Sequence, residues 1–128
     1  MRCLITGGSG HIGSALLRAV DWDITALDNL STMRYCAYFD LPRPVRLIED
    51  DVLTADLDPL VAGQDAVVHL AALTDAAASV GQDDAYYRSI VTGTQRVAEA
   101  CLRAKVPLIV PSSTSVYGEQ SRWVDESL

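Results

Sequence analysis

Residues 2–14 read Arg-Cys-Leu-Ile-Thr-Gly-Gly-Ser-Gly-His-Ile-Gly-Ser, and this stretch decides the fold of the chain. The apolar run at residues 3–5 is typical of a buried parallel strand. A glycine cluster follows, and from Ile12 onward apolar residues recur at helical spacing. The stretch therefore predicts a strand that turns through glycines into a helix.

The predicted turn has the chemistry of a phosphate-binding site. The first N–H groups of a helix have no partner within the helix, and the helix dipole is positive at that end. Gly7 and Gly10 permit a tight turn and the close approach of a ligand, while Gly13 permits close packing of helix on strand. The glycines fit two spacings, Gly8-Gly10-Gly13 and Gly7-Gly10-Gly13. Either spacing alone also occurs in ordinary strand–turn–helix corners.

Length, composition and charge exclude several classes of protein. A chain of 128 residues, 49% of them apolar, is typical of one globular domain. The net charge of −7 argues against partners that select basic patches, so no nucleic acid and no membrane surface is expected to bind. There is also no apolar run of about 20 residues that would predict a membrane span.

The three cysteines, Cys3, Cys36 and Cys101, lack the spacing of metal ligands. They predict buried free thiols in a reducing compartment and no metal site. The first strand begins almost at residue 1, so no signal peptide is expected. The cytoplasm is therefore the expected location.

The rest of the chain alternates predicted strands with helical or irregular connections. Four further strands are predicted, at residues 23–27, 45–48, 66–70 and 106–110. The connections are an irregular stretch with one short helical turn at 30–44, a brief helix at 54–62 ended by Gly63, and a long helix at 83–104. This alternation predicts right-handed crossovers. The expected fold class is α/β, a doubly wound, Rossmann-like parallel sheet of about five strands in the order 3-2-1-4-5.

Asp28 ends the second strand, about 20 residues after the glycine turn. An acidic side chain at that place accepts hydrogen bonds from the adenosine ribose of a dinucleotide. Its charge would repel a 2′-phosphate and so favours NAD over NADP, although the nearby Arg34 keeps NADP open. The alternative interpretation is an ordinary solvated aspartate at a strand end.

Other polar and small residues also follow predicted strands. Asp51 could accept a hydrogen bond from an adenine amino group, with Val52 against the ring, although an aspartate there more often caps a helix. His69, inside a strand, is more often a hydrogen-bonded core residue than a catalyst. Ala71 and Ala72 are small enough for a cofactor to lie against the backbone. The hydroxyl cluster at 112–115 could reach a substrate or form an ordinary polar loop.

The long helix carries two adjoining apolar stripes. The first is Tyr86, Ile90, Gly93, Val97, Cys101 and Ala104, and the second is Tyr87, Val91, Ala98 and Leu102. Two stripes are wider than contact with a sheet requires. Either a partner subunit covers part of this face, or the helix is deeply buried.

Six segments in register together resemble one family. They are Thr6–Gly13, Asp28–Ser31, Asp51–Val52, His69–Ala72, Gly93–Thr94 and Ser112–Gly118. Over its whole length the chain resembles the extended short-chain dehydrogenase/reductase family, in particular its NAD-dependent nucleotide-sugar epimerases and dehydratases. The match of several linked motifs is far more specific than a glycine pattern alone.

The resemblance implies a cofactor, a reaction and the residues that serve them. It implies that NAD is held by Gly7, Gly10, His11, Ile12, Gly13, Asp28, Asn29, Asp51 and Val52, with Leu70, Ala71 and Ala72 near the nicotinamide half. It implies that Ser113 takes the place of the catalytic serine or threonine. In that family a tyrosine removes the proton of a sugar hydroxyl while hydride passes to the nicotinamide. A lysine four residues after the tyrosine lowers its pKa.

The chain departs from the family at two places. An asparagine is usual where this chain has Ser89. In addition, no tyrosine here is followed by a lysine four residues later, since the only lysine is Lys105. The Tyr-x-x-x-Lys helix is expected beyond Tyr117, past the last residue, Leu128.

We therefore expect residues 1–128 to be the NAD-binding part of a nucleotide-sugar epimerase or dehydratase, truncated before the catalytic helix and the sugar-binding region and inactive alone. The alternative is a non-catalytic NAD(P)-binding sensor or partner subunit. Without a sixth strand, the apolar edge at 106–110 would be unpaired, and such edges recruit other strands. Self-association through this edge or through the face of the helix at 83–104 is expected.

Overall fold

The computed structural model describes residues 1–74, 80–113, 117–118 and 125. The strands are β1 (Arg2–Thr6), β2 (Asp23–Asp28), β3 (Val45–Glu49), β4 (Ala66–His69) and β5 (Leu108–Ile109). The α-helices are α1 (His11–Ala19), α2 (Leu57–Val61), α3 (Asp83–Tyr87) and α4 (Gly93–Ala104). A 3₁₀ turn spans Tyr35–Tyr38, and a π-helical turn, Arg88–Thr92, joins α3 to α4.

The five strands form one parallel sheet in the order β3-β2-β1-β4-β5. Ile5 in the central strand lies beside Ala26 on one side and Val68 on the other. The predicted fold class and strand order are confirmed. The strands β2 and β3 lie on one side of β1, and β4 and β5 lie on the other, so the order of the strands switches direction between β1 and β4. The carboxyl ends of β1 and β4 therefore flank a crevice of the kind that binds ligands in doubly wound folds.

Apolar side chains cover both faces of the sheet. On the face that meets α2 and α4, the buried core includes Leu4, Leu27, Val61, Val67, Val97 and Cys101. On the face that meets α1, it includes Cys3, Ile5, Leu17, Ile24 and Val68. Burial on both sides explains why β1 and β4 read as continuous apolar runs and not as alternating ones.

Two predicted elements are longer than the observed ones by more than one residue. The strand predicted at 106–110 is only Leu108–Ile109, because the Val106 N–H bonds the Cys101 carbonyl at 3.0 Å and so belongs to the end of α4. Lys105 adopts the left-handed conformation (φ 56°) that this helix ending uses. The helix predicted at 54–62 is Leu57–Val61, because a turn occupies residues 51–55 instead.

The helix predicted at 83–104 has the expected limits, but a π-helical turn interrupts it. Its buried residues are Gly93, Val97, Ala100 and Cys101. Tyr87 is 62% exposed and Leu102 is 80% exposed, so deep burial of the whole helix is wrong for this chain. A partner subunit on part of this face stays a prediction.

The predicted burial of the cysteines is confirmed for two of the three thiols. Cys3 and Cys101 are buried, and burial raises the pKa of both thiols. Cys36 is exposed, because the 3₁₀ turn directs its neighbour Ala37 into the core instead. Across the described ranges, no helix has the length and apolar character needed to cross a bilayer.

Candidate functional site

A cavity of about 390 Å³ opens at the carboxyl ends of the central strands. Nine residues that the sequence predicts for the cofactor line it, namely Gly7, Gly10, Asp28, Asn29, Asp51, Val52, Leu70, Ala71 and Ala72. Sequence reasoning did not assign a cofactor role to Ser9, Leu27, Ser31, Thr32, Asp50, Leu53, Leu73, Ala85, Arg88 or Ser89, which line it too. The cavity thus occupies the crevice where doubly wound sheets bind nucleotides.

The glycine turn follows the Gly7-Gly10-Gly13 spacing. Gly7 has a φ of +75° and lies so close to the segment after β4 that a Cβ would be 2.6 Å from the Ala71 nitrogen. A Cβ on Gly13 would be 2.3 Å from the Gly7 carbonyl oxygen. Gly8 is buried beside the Tyr38 hydroxyl and does not line the cavity. The turn is therefore closed by backbone contacts that side chains would prevent.

The start of α1 presents backbone donors. The hydrogen bonds of the helix begin with the Ser14 N–H, which bonds the Gly10 carbonyl at 2.9 Å. The three preceding N–H groups, of His11, Ile12 and Gly13, consequently have no helix carbonyl to bond. The first turn contains no acidic residue. This end of the helix is suited to a phosphate, which these residues would bind through the backbone, since the side chains of His11 and Ile12 are exposed.

Asp28 is buried, only 7% exposed, and held by three hydrogen bonds. Its Oδ2 accepts from the Ser9 N–H at 2.8 Å and from the Ser9 hydroxyl at 2.7 Å. Its Oδ1 accepts from the Leu30 N–H at 2.8 Å. The interpretation as a solvated aspartate is therefore wrong. The carboxylate is fixed against the glycine turn and retains acceptor capacity on Oδ1.

A side-chain bridge joins the ends of β2 and β3. Asn29 Nδ2 donates to Asp51 Oδ2 at 2.8 Å, and Asp51 Oδ1 accepts from the Leu53 N–H at 2.8 Å. Asp51 therefore fixes the turn at 51–55 and is not the cap of α2, whose N-cap residue is Asp56. On the same turn Val52 is buried, and Arg96 of α4 donates to its carbonyl at 2.9 Å.

The opposite wall of the cavity is the segment that follows β4. His69, which precedes it, is 4% exposed and has hydrogen bonds at both ring nitrogens, so its interpretation as a core histidine is confirmed. Burial lowers the pKa of His69. Further along, the Leu73 N–H donates to the Ser89 hydroxyl at 2.9 Å, which ties this wall to the π-helical turn.

Charge is distributed unevenly around the cavity. Three carboxylates, Asp28, Asp50 and Asp51, lie at the end formed by β2 and β3. Arg88 is the one cationic side chain among the lining residues of the described chain, and Arg34 is not among them. The acidic end suits hydroxyl and amino donors and opposes a further phosphate.

Ser113 is exposed and is not one of the lining residues. Residues 114–116, which belong to the same hydroxyl-rich motif, lie outside the described residues. The role of Ser113 therefore stays a prediction. No group of three or more metal-ligating side chains occurs in the part of the chain that the structure covers.

Residues 3–128 match the NAD dependent epimerase/dehydratase family. The chain is 36% identical over 144 residues to a dTDP-glucose 4,6-dehydratase of Streptomyces niveus, a match that covers 99% of this chain and 43% of the relative. It is 40% identical over 124 residues to a UDP-glucose 4-epimerase of Azospirillum brasilense, covering 91% of this chain and 35% of that protein.

A solved structure gives the same result. The UDP-glucuronic acid 4-epimerase of Bacillus cereus in complex with UDP-glucuronic acid and NAD superposes with a TM-score of 0.84 at 33% identity, over 100% of this chain and 45% of that one. The chain spans less than half the length of these relatives. Because the family match covers almost every residue and agrees with the fold, the chain belongs to the NAD-dependent epimerase/dehydratase family.

Proposed function

We propose that residues 1–128 are the NAD-binding part of a nucleotide-sugar epimerase or dehydratase. One observation carries the proposal: the glycine turn, including Gly10 at the N-cap of α1, and the buried Asp28 carboxylate border the same cavity. The backbone donors suit the diphosphate of a dinucleotide, and the carboxylate suits the hydroxyls of its adenosine ribose. The relatives support the substrate class, because they are named for dTDP-glucose, UDP-glucose and UDP-glucuronic acid.

The residues present fit NAD along its length. The diphosphate would bind at the Gly7-Gly10 turn, where a Cβ on Gly7 would collide with the Ala71 backbone. The adenosine ribose would donate to Asp28 Oδ1, and the adenine would lie beside Asp51 and Val52. The nicotinamide half would lie against the segment at 70–72, whose alanines leave the backbone accessible.

NAD is favoured over NADP at this site. A 2′-phosphate would enter the end of the cavity that holds Asp28, Asp50 and Asp51. Like charges at close range in a partly buried site repel each other by several kcal/mol at most, and on the order of 1 kcal/mol near solvent. Arg34, which could offset this repulsion, does not line the cavity.

When bound, the nicotinamide of NAD accepts a hydride from a sugar carbon and returns it. We propose that the Ser113 hydroxyl hydrogen-bonds the reacting sugar oxygen and that the chain orients the cofactor. None of the tyrosines at 35, 38, 86, 87 and 117 has a lysine four residues later. We therefore expect the 128-residue chain to bind NAD and to turn over no sugar nucleotide alone.

Calorimetric titration of NAD into wild type, Asp28→Asn and Asp23→Asn tests the proposal. Asp23 is the matched control, since it lies exposed at the opposite end of the same strand. We expect Asp28→Asn to weaken NAD binding about tenfold to hundredfold, as loss of a charge-assisted hydrogen bond costs about 1.5–3 kcal/mol. Asp28→Asn should also reduce the ratio of NAD affinity to NADP affinity. Absence of NAD binding by the wild type, or equal affinity of wild type and Asp28→Asn, would contradict the proposal.

A further inference from the structure

The chain contains a buried histidine for which the proposed chemistry has no use. His69 Nδ1 lies 2.7 Å from Thr6 Oγ1, and His69 Nε2 lies 3.1 Å from Thr94 Oγ1. These contacts join the last residues of β1 and β4 to the first turn of α4. The three side chains therefore connect both central strands to the helix that covers them.

The direction of each hydrogen bond follows from the proton count. The Thr94 hydroxyl has one proton and lies 2.5 Å from the Ile90 carbonyl, which can only accept. Thr94 Oγ1 must therefore accept from His69, so Nε2 carries the proton. His69 Nδ1 then carries no proton and accepts a hydrogen bond from the Thr6 hydroxyl.

The Thr6 oxygen, with its own proton directed at His69, is left to accept. It receives the N–H groups of Leu70 at 3.2 Å and Ala71 at 3.2 Å. The Leu70 N–H has a second acceptor in the Thr6 carbonyl at 2.9 Å. For the Ala71 N–H, the Thr6 hydroxyl is the acceptor that the described structure provides.

The residues held in this way form the cavity wall. Leu70 and Ala71 both line the cavity, and the position of a Cβ on Gly7 would be 2.6 Å from the Ala71 nitrogen. Thr6 directly precedes the glycine turn, and its hydroxyl accepts hydrogen bonds from the wall residues Leu70 and Ala71. These hydrogen bonds therefore help to determine the distance between the glycine turn and the wall. A change in the hydroxyl's orientation would alter the width of the site.

We propose that His69, as the neutral Nε2–H tautomer, is a positioning residue that sets the Leu70–Ala71 wall through the Thr6 hydroxyl and thereby tightens binding of a dinucleotide. The inference rests on the proposed function for its ligand, NAD. The part that concerns the wall is a property of the chain itself and is testable without any ligand.

Two substitutions of His69 separate its two contacts. In His69→Asn, Oδ1 takes the place of Nδ1 and still accepts from Thr6, while the contact to Thr94 is lost. In His69→Gln, the amide reaches the place of Nε2 and keeps the Thr94 contact, while the contact to Thr6 is lost. Thr6→Val removes the hydroxyl and keeps the branched shape of the side chain.

The experiment measures the NAD dissociation constant by calorimetry and the exchange rate of the Ala71 amide proton by NMR, with urea unfolding as the record of stability. His69→Gln and Thr6→Val should each weaken NAD binding about five- to tenfold and speed Ala71 exchange, as expected for one lost hydrogen bond. His69→Asn should stay within about threefold of wild type in affinity. The double variant His69→Gln/Thr6→Val should bind no more weakly than either single variant.

A structural role alone would lower the stability of the Asn and Gln variants without separating their affinities or Ala71 exchange rates, and that result would overturn the inference. If wild type binds no NAD, the proposed function fails and with it the claim about affinity, while Ala71 exchange still decides the claim about the wall. If wild type binds NAD and the two His69 variants behave alike, only the inference about His69 fails.

Discussion

The Tyr38 hydroxyl is buried beside Gly8 and has no hydrogen-bond partner among the residues that the structure describes. Burial, together with the nearby negative charge of Asp28, raises the pKa of Tyr38 and keeps the phenol neutral. A buried hydroxyl without a partner lowers stability by roughly 1–3 kcal/mol. The ring itself packs on the core beside α1.

Tyr38→Phe should therefore keep the packing and raise the free energy of unfolding by about 1 kcal/mol. Urea unfolding of both proteins checks this, with Tyr35→Phe as the control, because Tyr35 is exposed on the same 3₁₀ turn. A loss of stability on Tyr38→Phe would mean that the hydroxyl makes a bond in the folded protein.

His69 gives the stability of the chain a dependence on pH. Burial lowers its pKa below 6.5, so the unfolded chain binds a proton more readily than the folded one. The free energy of unfolding should therefore fall as pH decreases from about 7 through 6.5, until the lower pKa of the folded state is reached. Urea unfolding between pH 7.5 and 5.5 measures this slope.

The slope should become shallower in His69→Asn, because the asparagine side chain does not titrate. An equal slope in wild type and His69→Asn would show that other groups control the acid response.

At the scale of single residues, sequence spacing was enough to place Asp28 and Asp51 at the cavity, since a strand end after a glycine turn has a known position. It could not give their partners. Ser9 and Asn29 reach these carboxylates through contacts that follow from side-chain orientation in the folded chain. The one available signal was the hydroxyl of Ser9 inside the glycine turn.

At the scale of elements, the contact between α1 and the end of β1 depends on Gly13. A Cβ there would lie 2.3 Å from the Gly7 carbonyl oxygen, whereas a Cβ on Gly10 would lie 3.2 Å from the same atom. Gly10 has a φ of −65°, which any residue adopts. The two glycines therefore provide a matched pair for one turn.

Gly13→Ala should lower the free energy of unfolding by about 1–3 kcal/mol, the usual cost of forcing extra atoms into a packed site. Gly10→Ala should cost less than about 1 kcal/mol. Thermal or urea unfolding of both variants measures the difference. Equal effects would show that the helix moves away from the turn at little cost.

The element boundaries show which signals were local. Apolar runs predicted β1 and β4 closely, because each is buried on both faces. The length of β5 was overestimated, because Val106 is used to close α4 and this choice depends on the left-handed Lys105. The π-helical turn at 88–92 lies within one continuous helical pattern of apolar residues. The spacing of these residues gave no sign of the turn.

At the scale of the molecule, both surfaces that the sequence predicts for self-association carry exposed apolar side chains. One is on α3, the π-helical turn and α4, where Tyr87, Ile90, Val91 and Leu102 are 42–80% exposed. The other is the edge of the sheet at β5, where Ile109 is 53% exposed. Self-association of the chain therefore stays a prediction with two candidate surfaces.

Light scattering during size-exclusion chromatography should give a mass above that of a monomer. Leu102→Glu should restore the monomer if the helical surface is responsible, and Ile109→Lys should do so if the sheet edge is. Lys105→Glu is the control, since Lys105 is an exposed polar residue at the end of α4. A monomeric wild type at high concentration would rule out both surfaces.

The fold class and strand order were predictable because alternating strands and helices allow few connections. The exposure of the long helix was not, since two apolar stripes are compatible with either a buried helix or an interface. The residues that line the cavity were predictable where a motif fixed a backbone position, as at Gly7. They were missed where the helix at 83–104 contributes to the cavity, as at Arg88.

The central claim is that the backbone turn at Gly7–Gly13 and the carboxylate of Asp28 together hold NAD. A crystal structure of the chain soaked with NAD tests it most directly. We predict density for the diphosphate at the start of α1, the adenosine ribose within hydrogen-bond distance of Asp28, and the nicotinamide half along Leu70–Ala72. A dinucleotide bound elsewhere on the chain, with this cavity empty, would contradict the account.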